Sequence, residues 1–226
     1  MSGIRFGLHE TSEKTIENNV LSDISNFIQN KMHRQVTIIS PTQKEELTLG
    51  FDDIIEGLPP GCTLAFQFKR PYPYSSKRHS NFAKFVINTL QLQTLLGNFF
   101  QGEAFYVFVP LPTTQEIVRN RSNLLALSLA LDIYDVPKRT KTTQKTRVVR
   151  VTKSSLSPNL EIADPRKFDK VEKVLTLENI CNLVGNMELG RNTATHKNRP
   201  DAIERKAIRV KGIHYIHVSE KYSNKA

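Results

Sequence analysis

The fold is constrained most strongly by residues 49–71, with the sequence LGFDDIIEGLPPGCTLAFQFKRP. This segment contains two apolar runs of strand character, separated by a Pro-Pro-Gly turn signal. Asp52 and Asp53 interrupt the first run, and Gln67 and Lys69 lie at the end of the second. Because burial of a carboxylate or an ammonium in a strand costs free energy unless another group pairs with it, we expect these side chains to share a site.

The surrounding sequence predicts further helices and strands in a regular order. Six apolar residues with helical spacing predict a helix over 12–31, with Ser12 as its N-cap. The other predicted elements are strands over 35–40, 47–55, 62–69 and 104–110, a polar turn over 40–46, a loop over 70–81, and helices over 82–100 and 113–131, the last opened by a Thr113…Glu116 capping box. This order indicates an α/β fold with a mixed central sheet flanked by helices.

The sequence after residue 136 is less regular. It contains a basic loop leading into a strand over 137–153, a short helix over 175–186 capped at Thr176, a polar loop over 187–201 and a hairpin over 207–218 that turns at Lys211-Gly212. We therefore divide the chain into an α/β core over 1–136 and a basic C-terminal part over 137–226, which completes the fold or binds nucleic acid.

The charge is distributed unevenly between these two parts. Residues 1–136 carry 12 Lys/Arg against 13 Asp/Glu, whereas residues 137–226 carry 20 against 9 and account for the whole net charge of +10. An excess of this size favours a polyanionic partner, most simply nucleic acid. The alternative is a basic surface that is only solvated.

Length, composition and missing motifs exclude several classes of protein. A chain of 226 residues with 38% hydrophobic residues suits one domain, or one domain with a small appendage. The apolar runs are far shorter than a membrane span, and MSGIRFGLHE lacks the apolar core of a signal peptide. Cys62 and Cys181 favour neither a disulfide framework nor a cysteine metal site, and the P-loop, dinucleotide-binding and α/β-hydrolase motifs are missing. We expect a cytoplasmic protein with no membrane partner.

The polar residues of the two apolar runs predict a phosphodiesterase site. Strands alternate faces at every residue, so Gln67 and Lys69 point the same way. Hard cations such as Mg²⁺ take oxygen ligands, and a neighbouring lysine can stabilise charge that develops on a phosphate. Glu17 falls within the apolar stripe of the first helix, where it either joins this site or reaches solvent at the edge of the stripe.

These residues resemble the PD-(D/E)xK nuclease superfamily, whose core is a helix, three strands, a helix and a fourth strand. The Gly-x-x-Asp spacing that ends at Asp53 is similar to the RecB-type branch, and Gln67 with Lys69 is similar to the Q-x-K variant of Mrr-like members. The resemblance implies a restriction-endonuclease-like core over residues 12–110 with a basic C-terminal extension. It implies Asp53 and Gln67 as ligands of Mg²⁺ or Mn²⁺ and Lys69 as the catalytic lysine, with Asp52 as the alternative acid.

The same resemblance assigns supporting residues. The first helix of the family often supplies an acid, here Glu17, which would act in catalysis and metal binding. A glutamine on the helix after the lysine strand corresponds to Gln91 or Gln93.

The mixture of aromatic and basic residues in the loop after Lys69 (Tyr72, Tyr74, Lys77, Arg78 and His79) is typical of single-strand or flipped-base binding, with an ordinary exposed loop as the alternative. The expected nucleic-acid contacts are Arg70, Tyr72, Lys77, Arg78, Lys138, Arg139 and Lys141.

The sequence thus predicts a metal-dependent nuclease that hydrolyses phosphodiester bonds, with DNA favoured over RNA. The alternatives are a catalytically inactive nucleic-acid-binding module on the same fold and a basic subunit that docks an acidic protein. Cleavage of both strands of a duplex would favour a homodimer, and membership in a larger complex is the other assembly to consider.

Overall fold

A computed structural model of the protein describes residues 11–58, 64–72, 82–136, 145–152, 160–164, 167–171, 173–186, 209–210 and 213–214. The chain divides into two compact units, over residues 1–192 and 193–226. Within the part of the chain that the structure describes, no helix combines the length and the apolar character needed to cross a membrane.

The first helix, α1 (Glu13–Met32), confirms the sequence prediction. Ser12 caps its N-terminus by accepting a hydrogen bond from the backbone N–H of Thr15, and His33 ends it in the left-handed conformation. One stripe of the helix, which includes Ile16, Glu17 and Val20, is buried. The acid on this stripe is therefore held against the interior in the first turns of the helix.

The meander after α1 differs from the prediction between residues 40 and 52. Its elements are β1 (Thr37–Ile39), a helix α2 (Gln43–Leu49), β2 (Asp53–Glu56) and β3 (Leu64–Lys69). The expected polar turn and the start of the expected second strand are wrong, because the segment forms a helix. A capping box between Thr42 and Glu45 begins α2, and Gly50 at φ 84° ends it. The second strand is consequently short and begins at Asp53.

The predicted helix over 82–100 is half strand. Residues Phe82–Asn88 form β4, and the helix α3 (Thr89–Asn98) follows directly. The Asn88 side chain caps this helix by accepting hydrogen bonds from two backbone N–H groups. Burial in β4 alternates from residue to residue, with Ala83, Phe85 and Ile87 turned inward, which is the period of a strand. The apolar content of the segment concealed this change of period.

The rest of the core is built from short elements. The strand β5 (Ala104–Phe108) confirms the prediction, and the Thr113–Glu116 capping box opens α4 as expected. The single helix predicted to continue to residue 131 is wrong, because α4 (Thr114–Arg119) is followed by a 3-10 turn, by α5 (Leu124–Leu127) and by β6 (Leu129–Asp132). Helix α4 ends at Asn120, which separates the helix from the following 3-10 turn.

Residues after 136 add strands to two sheets. They form β7 (Thr146–Thr152), β8 (Leu160–Asp164), β9 (Lys167–Lys170), β10 (Leu175–Thr176) and α6 (Leu177–Gly185), which Thr176 caps as predicted. In the second compact unit, β11 (Arg209–Val210) pairs antiparallel with β12 (Ile213–His214), in agreement with the predicted hairpin. The predicted polar loop over 187–201 lies outside the described residues.

Two sheets organise the first unit. The central sheet has the order β1-β2-β3-β5-β6-β10, in which β3 and β5 are parallel and the other neighbours are antiparallel. The second sheet has the order β4-β7-β8-β9 and is antiparallel. The predicted α/β fold with a mixed central sheet and flanking helices is thereby confirmed.

The two faces of the central sheet have different partners. One face packs against α1, α5 and α6 in a core that includes Phe66 and Phe68 of β3. On the other face, the second sheet approaches β5, where the Phe85 and Phe108 rings meet edge to face at 5.2 Å between centroids. Because side chains alternate along a strand, Gln67 and Lys69 point toward this second face.

Candidate active site

Asp52, Gln67 and Gln91 form a buried hydrogen-bond chain between the central sheet and α3. The Nε2 group of Gln67 lies 2.6 Å from each carboxylate oxygen of Asp52, and the backbone N–H of Phe68 donates to the same carboxylate at 2.7 Å. Gln91 Nε2 donates to Gln67 Oε1 at 2.5 Å. Since a carboxylate only accepts hydrogen bonds, the amide nitrogen of Gln67 must face Asp52, and its oxygen faces Gln91.

Lys69 lies at the end of β3, two residues beyond Gln67 and on the same face. Its Nζ is 4.0 Å from Oε1 of Glu13 in the first turn of α1 and 6.0 Å from the ring centroid of Tyr106. Burial lowers the pKa of Lys69, and the negative charges of Glu13, Asp52 and Glu46 partly offset that effect. Lys69 is therefore a poorly solvated cation within the field of Asp52.

Asp53 and Glu17 form a second acidic pair on the α1 side. Asp53 lies opposite Phe66 in the strand register, and its carboxylate accepts a hydrogen bond from the Ser40 hydroxyl. Lys14 donates to Glu17 across one turn of α1. The Oδ2 atom of Asp53 is buried, and no described residue donates a fixed hydrogen bond to it. The Glu17 carboxyl lies within hydrogen-bonding reach of the Asp53 carboxyl when one of the two is protonated. The Oδ2 atom is an unsatisfied acceptor unless a proton or a cation reaches it.

Burial makes all three acids weak. It raises the pKa of Asp52 to about 7, although the Lys69 charge and the Phe68 N–H oppose the rise. It also raises the pKa of Glu17 to about 7, with the hydrogen bond from Lys14 opposing and the charge of Asp53 adding to the increase. The pKa of Asp53 is raised by the same cause, against the Ser40 hydrogen bond. Near neutral pH the site therefore holds protons that a divalent cation would displace.

The donor atoms suit a hard divalent cation held by few protein ligands. Asp52, Asp53 and Glu17 offer carboxylate oxygens, which Mg²⁺ and Mn²⁺ prefer, and such ions commonly complete their shell with water or phosphate. Among the described residues, no cluster of three or more His, Cys, Asp or Glu side chains is arranged to hold a metal ion. For Gln67 to join Asp52 as a ligand, its amide must rotate so that Oε1 faces the acid. Asp52 with Gln67 suits such an ion on the face that carries Lys69, whereas a proton shared with Glu17 or a separate cation would satisfy the buried Asp53 oxygen on the α1 side.

The residues proposed from sequence divide into three groups. Glu17, Asp52, Asp53, Gln67, Lys69 and Gln91 lie within the two clusters described above. Arg70 and Tyr72 follow β3 with exposed side chains, and Gln93 is exposed on α3. Lys77, Arg78, Lys138, Arg139 and Lys141, together with Tyr74 and His79, lie outside the described residues. The acid that contacts Gln67 is Asp52, whereas the Gly-x-x-Asp spacing selects Asp53.

Sequence analysis missed several residues of this site. Tyr106 is fully buried and lies beside Gln67 in the parallel pairing of β3 and β5. No described residue forms a hydrogen bond with its hydroxyl, and burial raises its pKa, with the charge of Arg147 opposing. A tyrosine inside the apolar run AFYVFVP was the available signal. Glu13 and Lys14 were also missed, although Lys14 precedes Glu17 by three residues, which is the spacing of an ion pair on a helix.

Comparison with models of protein families, with curated proteins and with solved structures finds no match for this chain. Its function is therefore argued from the chemistry of the site and the order of the elements that form it.

Proposed function

We propose that this protein is a metal-dependent nuclease that hydrolyses phosphodiester bonds in DNA. The observation that carries the proposal is the convergence of Asp52, Gln67 and Lys69 at adjoining ends of β2 and β3, on one face of the sheet. Asp52 takes the position that the Gly-x-x-Asp spacing assigned to Asp53. A buried acid, amide and ammonium at adjoining strand ends are the kind of cluster that is enriched at functional sites.

The order of the elements supports a restriction-endonuclease-like core. Helix α1, the β1–β3 meander, α3 and β5 follow the order that the PD-(D/E)xK resemblance implies, and the parallel pairing of β3 and β5 across α3 is compatible with it. The departures are α2, which comes between β1 and β2, and β4, which comes between β3 and α3 and belongs to the second sheet. The contact of Gln91 on α3 with Gln67 is compatible with the supporting position that the resemblance assigns to a glutamine, whereas Glu17 on α1 lies with Asp53.

The charge of the site supports a bound cation. Asp52, Asp53 and Glu17 have exposed fractions of 9%, 0% and 4%. Among the described residues, the charges of Lys14 and Lys69 lower the pKa values of these acids, and two cations leave a surplus of buried acid when all three acids ionise. Asp52 and Gln67 would hold the ion on the face that carries Lys69, whereas Asp53 and Glu17 form a separate acidic pair on the α1 side. When bound, the ion would offset negative charge on the phosphate and lower the pKa of a coordinated water.

Lys69 is the group of the protein itself that would stabilise charge and transfer protons in the reaction. Glu13 lies 4.0 Å from its ammonium and the Asp52 charge also acts on it, so the cation stands in an acidic environment before substrate arrives. A preorganised cation in a poorly solvated site stabilises negative charge that develops on a phosphate oxygen. Its lowered pKa eases proton transfer to the leaving oxygen or from the attacking water.

Substitution of Lys69 tests this proposal directly. Lys69→Ala should reduce cleavage of labelled DNA in Mg²⁺ or Mn²⁺ by about 10²-fold or more, the usual effect of losing one electrostatic group in an active site. Affinity for the same DNA in EDTA should stay within about twofold, because one ammonium is a small part of a basic surface. Lys31→Ala is the matched control, since Lys31 lies in the last turn of α1, about 27 Å along the helix from Glu13. Equal loss of binding and cleavage would make Lys69 a phosphate contact and refute its catalytic role.

A second candidate is an inactive nucleic-acid-binding module on the same fold. It is favoured by the hydrogen bonds of Gln67, whose nitrogen satisfies Asp52 while its oxygen is satisfied by Gln91. In that state the amide holds the buried acid without any metal. Titration of Mg²⁺ and Mn²⁺ with labelled DNA separates the two candidates, because only the nuclease produces metal-dependent cleavage.

A further inference from the structure

A row of charged residues crosses the outer face of the second sheet. Lys84 of β4 lies directly opposite Arg150 of β7, Arg150 lies opposite Glu161 of β8, and Glu161 lies opposite Lys170 of β9. Register partners project from the same face of a sheet, so these four side chains form one line across four strands. With about 4.8 Å between neighbouring strands, the line is about 14 Å long.

This face is turned away from the protein core. Ala83, Phe85 and Ile87 are the buried residues of β4, whereas Lys84 between them is exposed, and Lys170 at the far end of the row is exposed as well. Three of the four charged residues are cations, which gives the row a net charge of +2. Lys84 and Arg150 are like charges in direct opposition, an arrangement that destabilises an antiparallel pair. An anion bound across the row would offset that repulsion.

Aromatic side chains accompany the cations at the β4 end of the row. The Phe82 ring lies 4.7 Å from Cζ of Arg150 and 6.0 Å from Nζ of Lys84. The backbone N–H of Tyr72 donates to the carbonyl of Lys84 at 2.7 Å, and the Tyr72 side chain is 57% exposed. Cations interleaved with aromatic rings on an open sheet face are the usual platform for single-stranded nucleic acid, because the rings stack with bases while the cations hold phosphates.

The row also begins close to the candidate active site. Tyr72 lies three positions after Lys69 in the chain, so their Cα atoms are within about 11 Å of each other. A strand held on Lys84 and stacked on Tyr72 would therefore reach Lys69 within a few nucleotides. At about 3.4 Å per stacked nucleotide, the 14 Å row itself accommodates about four nucleotides, at the lower limit of known single-strand sites.

We propose that this outer face binds single-stranded nucleic acid and delivers it to Lys69. The binding platform consists of Tyr72, Phe82, Lys84, Arg150 and Lys170. Glu161 weakens the platform by neutralising one of its cations. The delivery step rests on the proposed nuclease function, whereas the binding step stands without it.

The binding step is tested in EDTA, where metal-dependent cleavage cannot occur. Fluorescence anisotropy would measure binding of a labelled 16-nucleotide DNA, alone and annealed to its complement, between 50 and 200 mM salt. Lys84→Glu should weaken single-strand binding and reduce the slope of log K against log salt by at least about 0.7, the value of one phosphate contact. Tyr72→Ala should weaken it by about five- to 100-fold through lost stacking.

Two further variants separate a binding role from a structural one. Lys31→Glu is the matched control with the same change of charge, on the α1 side of the central sheet, and should leave single-strand affinity nearly unchanged. Glu161→Gln should strengthen binding, because it removes the negative charge of the row. A merely structural role for Lys84 would not produce this gain. Melting temperatures of all four variants verify that each remains folded.

Specific results would overturn the inference. Equal losses of single-strand affinity in Lys84→Glu and Lys31→Glu would refute it. It would also be refuted if the protein bound duplex as tightly as single-stranded DNA and Tyr72→Ala left the affinity unchanged. Failure to bind DNA, combined with binding of polyglutamate, would assign the face to an acidic protein. Cleavage of DNA that Lys84→Glu leaves unchanged would refute the delivery step while the nuclease function stands. Single-strand binding by a protein that never cleaves would refute the nuclease function and leave the platform intact.

Discussion

Replacing Asp52 by asparagine should make the metal-free protein more stable at neutral and alkaline pH and less stable only in acid, with the two stability curves crossing near pH 5. The pKa of Asp52 is raised from its ordinary 3.8 to about 7, mainly by burial. The folded protein thus binds a proton at pH values where the unfolded chain has lost it. The stabilising contribution of this proton is fully present below pH 4 and is lost as the pH rises through 7.

The size of the effect follows from that pKa. A rise from 3.8 to about 7 corresponds to about 4 kcal/mol of unfolding free energy, lost between pH 4 and pH 7. Asparagine does not ionise, so the variant escapes this loss. It gives up about 1–2 kcal/mol at every pH, because one of the two oxygens that accept from Gln67 and the Phe68 N–H becomes an NH₂ group. By pH 5 the natural protein has lost only about 1.6 kcal/mol, so the two proteins should then be about equally stable. At pH 8 we expect the variant to be more stable by about 2–3 kcal/mol, and below pH 4 less stable by about 1–2 kcal/mol.

Urea unfolding at pH 4, 5, 6, 7 and 8 in EDTA measures this crossing. Glu17 also has a pKa of about 7, so the variant should retain part of the pH dependence. At ten times its dissociation constant, Mg²⁺ or Mn²⁺ should stabilise the natural protein at pH 8 by about 1.4 kcal/mol, and the variant by much less. Glu178→Gln on the exposed side of α6 is the control for removing one acid. Parallel stability curves for Asp52→Asn and the natural protein between pH 5 and pH 8 would refute the reasoning.

Two more substitutions examine neighbouring residues. Gln67→Glu places a second carboxylate against Asp52, so without metal the variant should lose about 1–3 kcal/mol of unfolding free energy at pH 8. Calorimetry should show that it binds Mg²⁺ or Mn²⁺ more tightly than the natural protein does. The metal should also raise its melting temperature by more. A destabilised Gln67→Glu protein with no metal-dependent rise would assign Gln67 a purely structural role. Tyr106→Phe removes a buried hydroxyl that no described residue satisfies, so the melting temperature should stay constant or rise by the equivalent of about 1 kcal/mol. A clear fall in the melting temperature would mean that the hydroxyl has a partner.

Elements with complete local signals were predictable from the sequence. Helix α1 combines an N-cap at Ser12 with an apolar stripe of helical period, and α6 has its cap at Thr176. Gln67 and Lys69 were identifiable because polar residues in a buried strand require a reason. Helix α2 and strand β4 could not be predicted from the sequence. The capping box at Thr42 is not followed by an apolar stripe of helical period, and β4 and α3 form one continuous apolar run. In such segments tertiary packing selects the period.

The choice between Asp52 and Asp53 required the tertiary structure. The two acids are adjacent in the chain, and their local sequence offers only the Gly-x-x-Asp spacing, which selects Asp53. The register of β2 on β3 pairs Asp53 with Phe66 and turns it toward α1, while Asp52 meets Gln67 on the opposite face. A strand alternates faces at every residue, so a register one residue different would exchange the two acids. The sequence by itself determined that acids, an amide and a lysine would meet at these strand ends, and only the pairing of the strands decided which acid joined the lysine.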